Sequence, residues 1–482
     1  MTALLVAPDG TVAARGYQEF RQYYPRPGWV EHLPEDIWQA TLTACRQALD
    51  QAGTGPGAVA ALGITNQRET AVLWDRASLA APRRAIVWQD RRTARLCDEL
   101  REAGHEERVS ELTGLRLDPY FTGTKLTWLA REEPGTWAGL ADGSLAAGTV
   151  DSYLIARLTD GGRHVTDASN ASRTLLFDIT AGRWSAELCE LLGVPAVALP
   201  EVVPSTGIAG HTDPAAFLGL ELPIAGIAGD QQAALFGQAC FSPGDAKCTY
   251  GTGSFVLANT GGTVARPGNG LLSTVAWMDG TGALTYALEG SVFVTGAAIQ
   301  WLRDGLGLLD DAAQSETLAA TVPDSGGVVF VPALTGLGAP DWDPDARGAV
   351  FGLTRGTTRA HLVRAALEAI AYEVRDVFDV MVTGDWRAGC TLRADGGASA
   401  NGLLMQLQAD QLQVPVERPE IMETTALGAA FLAGLATGVW SSPAELAATW
   451  RLGRRFEPQA RDEEGHRRWR RAVDRAKGWA RG

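Results

Sequence analysis

Short apolar runs that end in glycine or polar turns alternate along this chain with longer amphipathic stretches, a pattern typical of α/β proteins. The clearest unit is residues 224–238, with the sequence IAGIAGDQQAALFGQ. Its apolar start predicts a buried strand, Gly229 permits a sharp turn, and the residues after Asp230 predict a helix. Asp230 then lies at the carboxyl end of a strand, where open α/β sheets bind ligands. Aspartate is also a favoured helix N-cap, and taken alone the position favours that role over catalysis.

The same pattern predicts the other elements of the chain. They are a β-hairpin over 1–20, a helix over 34–52, strands over 59–64, 71–74 and 85–89, a helix over 91–103, a helical or buried segment over 148–158, a polar loop over 166–172, a hairpin over 247–253, a helix over 290–303, a long loop over 336–355, a helix over 359–382, a strand–turn–helix unit from 392, a small-residue helix over 426–436 and a basic surface helix over 467–481. We expect 426–436 to pack against the helix that carries Leu403, Leu404 and Leu407. Because meandering strands followed by strand–turn–helix units occur in both halves, we place the domain boundary between residues 1–238 and 239–482.

Polar and glycine-rich turns between these elements are candidates for a ligand site. Residues 65–70, TNQRET, separate two apolar strands and fit either a site at a strand end or an exposed hairpin turn. Three turns carry glycine: 229–230, 250–253 and 395–397. Their N–H groups, together with the Thr252 hydroxyl, can bind phosphate oxygens, although turns use glycine routinely. The sequence contains neither GxxxxGK[ST] nor a GxGxxG that opens a βαβ unit, which disfavours the P-loop and Rossmann modes of nucleotide binding.

Composition narrows the class of protein. A chain of 482 residues is too long for one core and indicates two or three domains. The net charge of −14 disfavours nucleic acid and anionic lipid as partners. The six cysteines form no CxxC pair, which disfavours a zinc site or a disulfide framework and fits a reducing compartment. The sequence has no apolar run long enough to span a bilayer, so we expect a cytoplasmic protein without membrane insertion.

Several long segments resemble the FGGY carbohydrate kinases, and among them the members that phosphorylate glycerol. They include ALGITNQRET, AIVWQDRR, DPYFTGTK, TDASNASRT, IAGIAGDQQAALFGQ, YGTGSF, PALTGLGAPDWDP and DGGASANGLLMQ, in the family's order. The resemblance implies a two-lobed α/β fold of the actin/hexokinase-like (ribonuclease H-like) type. A cleft between the lobes would hold glycerol against the N-terminal lobe, residues 1–238, and ATP with Mg²⁺ against the C-terminal lobe, residues 239–482. It also implies a homo-oligomer, a dimer or a tetramer.

The resemblance further implies roles for individual residues. Glycerol hydroxyls would bind the polar side chains Arg68, Glu69, Tyr120, Asp230 and Gln231, and the carbon edge of glycerol would pack on Trp88 and Phe255. Asp230 would be the general base and would approach Mg²⁺ through water. The phosphates and the nucleotide would contact the small and polar residues Gly251, Thr252, Gly253, Gly296, Gln300, Gly397 and Asn401.

The start of the chain departs from the family pattern. The family begins with a strand that ends in a DxGTT[ST] turn, whereas residues 3–7 here match the strand after that turn. We therefore expect the first strand of the N-terminal lobe to be missing and kinase activity to be impaired, and we expect an added upstream segment of that type to restore activity. A kinase for another polyol or for a sugar such as xylulose, and a polyol-binding protein without catalysis, remain as alternatives. An actin-like filament protein is disfavoured by the polyol pocket.

Overall fold

The computed structural model describes residues 1–53, 55–266, 270–382 and 389–481. Up to Gln238 the chain forms the elements β1 Thr2–Val6, β2 Val12–Tyr17, β3 Gln22–Tyr23, β4 Glu31–His32, α1 Pro34–Ala52, β5 Leu62–Asn66, β6 Val72–Asp75, β7 Ala85–Ile86, α2 Ala94–Glu102, α3 Glu106–Thr113, α4 Thr122–Glu132, α5 Pro134–Ala141, β8 Leu145–Gly148, α6 Val150–Leu158, β9 Val165–Asp167, α7 Ala168–Ala171, β10 Phe177–Asp178, β11 Arg183–Trp184, α8 Ala186–Leu191, β12 Glu201–Val203, β13 Thr206–His211, β14 Pro223–Gly229 and α9 Asp230–Gly237.

After Gln238 the elements are β15 Ala246–Tyr250, β16 Ser254–Gly261, β17 Leu272–Met278, β18 Leu284–Val292, α10 Gly296–Gln300, α11 Gln314–Ala319, β19 Val329–Val331, β20 Ala349–Phe351, α12 Arg359–Met381, β21 Leu392–Asp395, α13 Gly402–Leu412, β22 Val416–Pro419, α14 Thr424–Ala436, α15 Pro443–Thr449, β23 Leu452–Phe456 and α16 Glu463–Ala476. Most of these strands belong to one sheet, and β19 and β20 form a second, two-stranded sheet.

The sheet of the C-terminal half has seven strands in the order β17–β18–β16–β15–β21–β22–β23. Its centre is β15, which is antiparallel to β16 and parallel to β21, so that Thr249 lies opposite Asp395. The apolar face of α12, with Val363, Ile370 and Val377, is buried in the same core as these strands. The turns that follow β15 and β21 therefore lie at one edge of the sheet.

The N-terminal half places its strands in several smaller sheets. In one of them β14 lies between antiparallel β13 and parallel β5, and Gly229 is opposite Asn66. The hairpin of β1 and β2 forms a separate two-stranded sheet. The buried pattern predicted for 224–228 is confirmed, because six of the seven residues of β14 are buried. The segments that follow β5 and β14 leave the sheet at the same edge.

Helix α14 lies on the sheet of the N-terminal half and on α9, not on α13 as the sequence suggested. The predicted close approach is correct, since a Cβ at Gly428 would overlap the carbonyl of Ala233. Likewise a Cβ at Gly63 would overlap the carbonyl of Ala429, so the helix rests directly on β5. Small residues predict that another backbone comes near, but they do not identify which one.

Three further predictions of local structure are wrong. The helix expected over 290–303 begins only at Gly296, because β18 continues to Val292; α10 is then followed by a π-helical turn, Trp301–Gly305. The expected loop 166–172 contains the end of β9 and the short helix α7, which Asp167 caps through the N–H groups of Ser169 and Asn170. The basic C-terminal helix is α16, and it is amphipathic: Trp469 is buried against the core. Within the described ranges no helix is both long and apolar enough to cross a membrane.

Candidate active site

Asp230 lies at the carboxyl edge of the β13–β14–β5 sheet, where β14 passes into α9. The N-cap of α9 is Gly229, so Asp230 is the first residue of the helix and not its N-cap. One carboxylate oxygen, Oδ1, accepts a hydrogen bond from the Gln231 N–H at 2.8 Å and lies 3.1 Å from Arg68 Nε. The Asp230 side chain is 33% exposed, which leaves the carboxylate accessible from the cleft.

The surroundings of Asp230 raise its pKa. Burial raises the pKa of Asp230 above its usual value, and the nearby cations Arg68 and Lys247 only partly oppose the shift. A carboxylate with a raised pKa accepts a proton more readily than a free aspartate does. Asp230 therefore has both the exposure and the basicity that a general base requires.

Arg68 and Glu69 follow β5 at the same edge and are both buried. Glu69 has a positive φ of 61°, an uncommon backbone conformation for a residue other than glycine. Buried Lys125 supports this turn, because its Nζ donates to the Glu69 carbonyl at 3.2 Å and to the Tyr120 carbonyl at 2.5 Å. Burial lowers the pKa of Lys125 to about 7. Gly229 is required beside them, since a Cβ there would lie 2.7 Å from Arg68 Cγ.

Three aromatic side chains form a wall beside Arg68. The Trp88 ring is 5.7 Å from the Tyr120 ring and 6.4 Å from the Phe255 ring, centroid to centroid. The Tyr120 hydroxyl accepts a hydrogen bond from Arg68 Nη2 at 3.1 Å. The Arg68 guanidinium is 5.7 Å from the centre of the Phe255 ring. The arrangement combines apolar faces with polar groups, as a pocket for a small polyol needs.

Arg68 and Glu69 belong to a buried ion cluster that sequence reasoning missed. Glu289 Oε2 is 2.5 Å from Arg68 Nη1, and Glu289 Oε1 accepts from Arg173 Nη2 at 2.8 Å. Arg173 Nε also donates to Glu69 Oε1 at 2.7 Å. Burial acts to raise the pKa of Glu289, but Arg173 and Arg68 together outweigh it and bring that pKa to about 2. The cluster thus pairs two guanidiniums with two carboxylates and joins β18 to the N-terminal half.

A signal for this cluster was present in the sequence. Glu289 is the single charged residue among Leu284–Val292, an otherwise uncharged strand. Arg173 follows the small polar segment 166–172. A charge within an apolar run is costly unless it is paired, so it indicates a buried partner, but the sequence does not say which one.

A second buried polar group lies between Asp230 and the glycine turns. Lys247 Nζ donates to Gln231 Oε1 at 2.5 Å and to the Thr249 hydroxyl at 2.8 Å. Asp395, opposite Thr249, accepts from Gln238 Nε2 at 2.8 Å and from the Thr424 hydroxyl at 2.7 Å. Lys247 was not predicted from the sequence as a site residue, yet its side chain fixes Gln231 on α9.

Two of the three predicted glycine turns, 250–253 and 395–397, are in contact, and the first also contacts the start of α10. The Gly296 N–H donates to the Gly251 carbonyl at 3.0 Å, and the Thr295 N–H donates to the Thr252 carbonyl at 2.8 Å. The Gly251 N–H donates to the Gly253 carbonyl at 2.9 Å within the same turn. Gly396, with φ of 85°, lies directly on Tyr250, where a Cβ would come within 2.6 Å of the carbonyl oxygen.

The remaining predicted nucleotide residues lie around these turns. Thr252, Gly397 and Gln300 are exposed, and nothing lies within 4 Å of a Cβ at Gly397. Asn401 is already engaged, because its Oδ1 accepts from the Leu404 N–H at 2.9 Å and its Nδ2 donates to the Ser315 hydroxyl at 3.1 Å. Asn401 is therefore the N-cap of α13, and any contact with a nucleotide must share that side chain.

The described residues contain no group of three or more histidine, cysteine, aspartate or glutamate side chains that could hold a metal ion. Mg²⁺ needs fewer protein ligands, since it usually keeps several waters and binds one or two carboxylates together with substrate phosphates. The accessible carboxylate of Asp230 fits that requirement. Asp395 fits it less well, because it is buried and accepts two hydrogen bonds.

Models of known families match both halves of the chain. The N-terminal domain of the FGGY family of carbohydrate kinases matches residues 1–237, and the C-terminal domain of the same family matches residues 246–437. The chain belongs to the FGGY family of carbohydrate kinases. The FGGY models end and begin close to the predicted boundary at 238, although the boundary itself stays a prediction.

Individual FGGY kinases are similar over nearly the whole chain. Glycerol kinase 2 of Thermotoga maritima is 54% identical over 480 residues, which cover 99% of this chain and 96% of that protein. Glycerol kinase of Aromatoleum aromaticum is 56% identical over 480 residues, with the same coverage. The crystal structure of Plasmodium falciparum glycerol kinase with ADP superposes with a TM-score of 0.87 at 33% identity, covering 98% of this chain and 96% of that one. Xylulose kinase from Rhodospirillum rubrum superposes with a TM-score of 0.81 at 26% identity, covering 98% and 95%.

These similarities confirm the predicted two-lobed FGGY kinase fold. They do not test the roles assigned to single residues, which stay predictions. The structure brings Arg68, Glu69, Tyr120, Asp230 and Phe255 into one cluster with Arg173 and Glu289.

Proposed function

We propose that this FGGY kinase transfers the γ-phosphate of ATP to a terminal hydroxyl of glycerol, giving glycerol 3-phosphate and ADP. The observation that carries the proposal is the accessible Asp230 carboxylate, which lies 3.1 Å from Arg68 Nε at the carboxyl edge of a parallel strand pair. The similarity to glycerol kinases of 54–56% identity over nearly the whole chain supports glycerol as the acceptor.

In this proposal the polyol binds between the aromatic wall and the polar residues that follow β5 and β14. Arg68, Glu69, Tyr120 and Gln231 bind the hydroxyls, and Trp88 with Phe255 packs on the carbon edge. The buried ion cluster holds Arg68 and Glu69 in place before the substrate arrives, which lowers the cost of ordering them on binding. Lys125 fixes the backbone of the same pocket through two carbonyls.

The Asp230 carboxylate acts as the general base. It accepts the proton of the terminal hydroxyl while that oxygen bonds to the γ-phosphorus, and the bond between the γ-phosphorus and the bridging oxygen breaks to release ADP. The turn of Gly251, Thr252 and Gly253 lies against the transferred phosphate, to which Thr252 presents its hydroxyl, and Gly296, Gln300, Gly397 and Asn401 surround the nucleotide. Mg²⁺, held by the phosphates, water and Asp230, supplies charge neutralisation when it is bound.

A substrate panel measured by coupled ADP release tests the proposed acceptor. Glycerol should give the highest kcat/KM, with xylulose and gluconate at least 10²-fold lower, because unmatched hydroxyls would leave buried polar groups unpaired. ADP release that is faster with a pentulose than with glycerol would reassign the substrate within the family. Glycerol binding in calorimetry without any ADP release would instead favour the non-catalytic polyol-binding protein.

The raised pKa of Asp230 gives a prediction for the pH profile. As pH falls through that pKa, Asp230 gains a proton and cannot accept another, so the acid limb of kcat/KM should lie above pH 3.8, the usual value for aspartate. Coupled assays from pH 4 to 9, with circular dichroism at each pH to verify folding, measure the limb. A folded protein that keeps full kcat/KM at the lowest pH would contradict a general base with a raised pKa.

The remaining expectations are parts of the same proposal. We place the protein in the cytoplasm as a homo-oligomer, a dimer or a tetramer. We place the boundary between the polyol-binding lobe and the nucleotide-binding lobe near residue 238 of the chain.

A further inference from the structure

The polar segment 167–173, with the sequence DASNASR, is buried along its whole length. It contains the last residue of β9, the short helix α7 and the two residues after that helix. Buried polar groups are costly unless they are hydrogen-bonded inside the protein. The partners of this segment therefore show which parts of the molecule it organises.

The Ser169 hydroxyl supports the strand end that precedes Asp230. The Gly229 N–H donates to Ser169 Oγ at 2.9 Å, and the same hydroxyl donates to Asp167 Oδ1 at 3.0 Å. Gly229 is both the last residue of β14 and the N-cap of α9. Ser169 therefore joins the Asp167 carboxylate to the backbone of the turn that carries the proposed base.

The Asn170 side chain supports the neighbouring strand end. Asn66 Nδ2 donates to Asn170 Oδ1 at 3.0 Å, and Asn170 Nδ2 donates to Asn66 Oδ1 at 3.1 Å. Asn66 is the last residue of β5, two positions before Arg68, and it lies opposite Gly229 in the sheet. The two side chains of α7 thus hold two opposing residues of the β5–β14 pair.

The Asp167 carboxylate connects the two supports. Its Oδ1 accepts from the Ser169 hydroxyl and from Asn170 Nδ2, the latter at 2.9 Å. At the other end of the segment, Arg173 Nε donates to Glu69 Oε1 at 2.7 Å. Seven consecutive residues therefore contact the strand end before Asp230, the strand end before Arg68, and Glu69 itself.

We propose that Ser169 and Asn170 are positioning residues for the phosphoryl acceptor. Ser169 fixes the turn of Asp230, Asn170 fixes the turn of Arg68 and Glu69, and neither touches the substrate. This inference rests on the roles proposed above for Asp230 and Arg68. Because separate side chains hold the base and the polyol ligands, losing one support should change a different kinetic constant from losing the other. Small displacements suffice, since a shift of about 1 Å can cost roughly 10²-fold in rate.

Ser169→Ala tests the support of the base. We expect kcat to fall at least fivefold while KM for glycerol stays within twofold, because the polyol ligands keep their own support. Hydrogen exchange at the Gly229 amide should become at least threefold faster, the size expected for one lost hydrogen bond. The matched control is Ser205→Ala, which removes another buried hydroxyl that donates to Asp167, at 2.6 Å, and accepts from the Met278 N–H at 3.0 Å. The Ser205 variant should keep the kcat and KM of the parent protein.

Asn170→Ala tests the support of the polyol ligands. We expect KM for glycerol to rise at least fivefold with kcat within twofold, and exchange in residues 62–70 to become faster. The matched control is Asn259→Ala, which removes a buried amide that donates to the Cys240 carbonyl at 2.9 Å and accepts from the Gly261 N–H. The Asn259 variant should keep both kinetic constants.

Two kinetic results would overturn the proposal. One is that Ser169→Ala and Asn170→Ala match their controls, and the other is that both variants change kcat and KM alike. If Ser169→Ala does not fold, Ser169→Cys replaces it, because a thiol is a weak acceptor of similar size. If the parent protein releases no ADP with glycerol, the proposed phosphotransfer fails. Exchange in residues 62–70 and 224–232 then decides this inference alone, and unchanged exchange in the two variants would overturn it.

Discussion

An Asp230→Asn variant is expected to lose phosphoryl transfer to glycerol, with kcat reduced by roughly 10²- to 10⁴-fold. Asparagine keeps the shape of the side chain and still faces Arg68, but its amide does not accept the hydroxyl proton. Glycerol binding should change little, because Arg68, Glu69 and the aromatic wall remain. Coupled ADP release measures kcat, and calorimetry with glycerol measures binding in the same preparation.

The matched control for this experiment is Asp304→Asn. Asp304 is an exposed carboxylate that pairs with its neighbour Arg303. We expect its variant to retain the parent kcat and KM. A similar kcat for the Asp230→Asn variant and the parent protein would rule out Asp230 as the base and would require another proton acceptor near the transferred phosphate.

A Glu289→Gln variant is expected to lose about 3–5 kcal/mol of unfolding free energy, the usual cost of removing one member of a buried ion pair. The loss arises because Arg68 and Arg173 would remain buried with one carboxylate fewer. The effect on activity should appear mainly as a higher KM for glycerol, since Glu289 positions Arg68 and has no proposed contact with the substrate. Urea unfolding measures the free energy, and initial rates separate KM from kcat.

The control for Glu289 is a pair on the protein surface. Glu99 pairs with Arg95 and Arg131, both largely exposed, and Glu99→Gln should produce no resolvable change in stability. A Glu289→Asp variant keeps the charge and should recover part of both the stability and the KM. Equal urea midpoints for Glu289→Gln and Glu99→Gln would contradict the view that the cluster organises the pocket.

The parts of the site that were predicted from sequence depend on local patterns. Asp230 follows an apolar strand and precedes a helix, and Arg68 follows β5 in the same way, so both could be assigned to a sheet edge from adjacent residues. Phe255 and Trp88 were assigned through resemblance to the family. The contacts among these four residues join positions 162 to 187 apart in the sequence, and such pairings are set by tertiary packing rather than by periodicity.

The features of the site and fold that were not predicted also depend on contacts between residues far apart in the sequence. Glu289 lies in a strand buried on both faces, where alternation is lost, so the last residues of that strand, 290–292, were assigned to the helix that follows. The small residues of α14 revealed a close contact but not that α9 was the partner. Arg173 belongs to the family-like segment TDASNASRT. Its buried partner Glu289 lies more than 100 positions away, and no local pattern in the sequence identifies such a pair.

The position of α14 bears on how the two halves depend on each other. This helix belongs by sequence to the C-terminal half, yet it covers the glycine-lined surface of β5 and β14 and packs backbone to backbone on α9. A fragment that stopped at Gln238 would expose that surface to water and would leave α9 without its neighbour. During synthesis, the sheet of the first half is therefore not fully covered until nearly two hundred later residues, through α14, have been made.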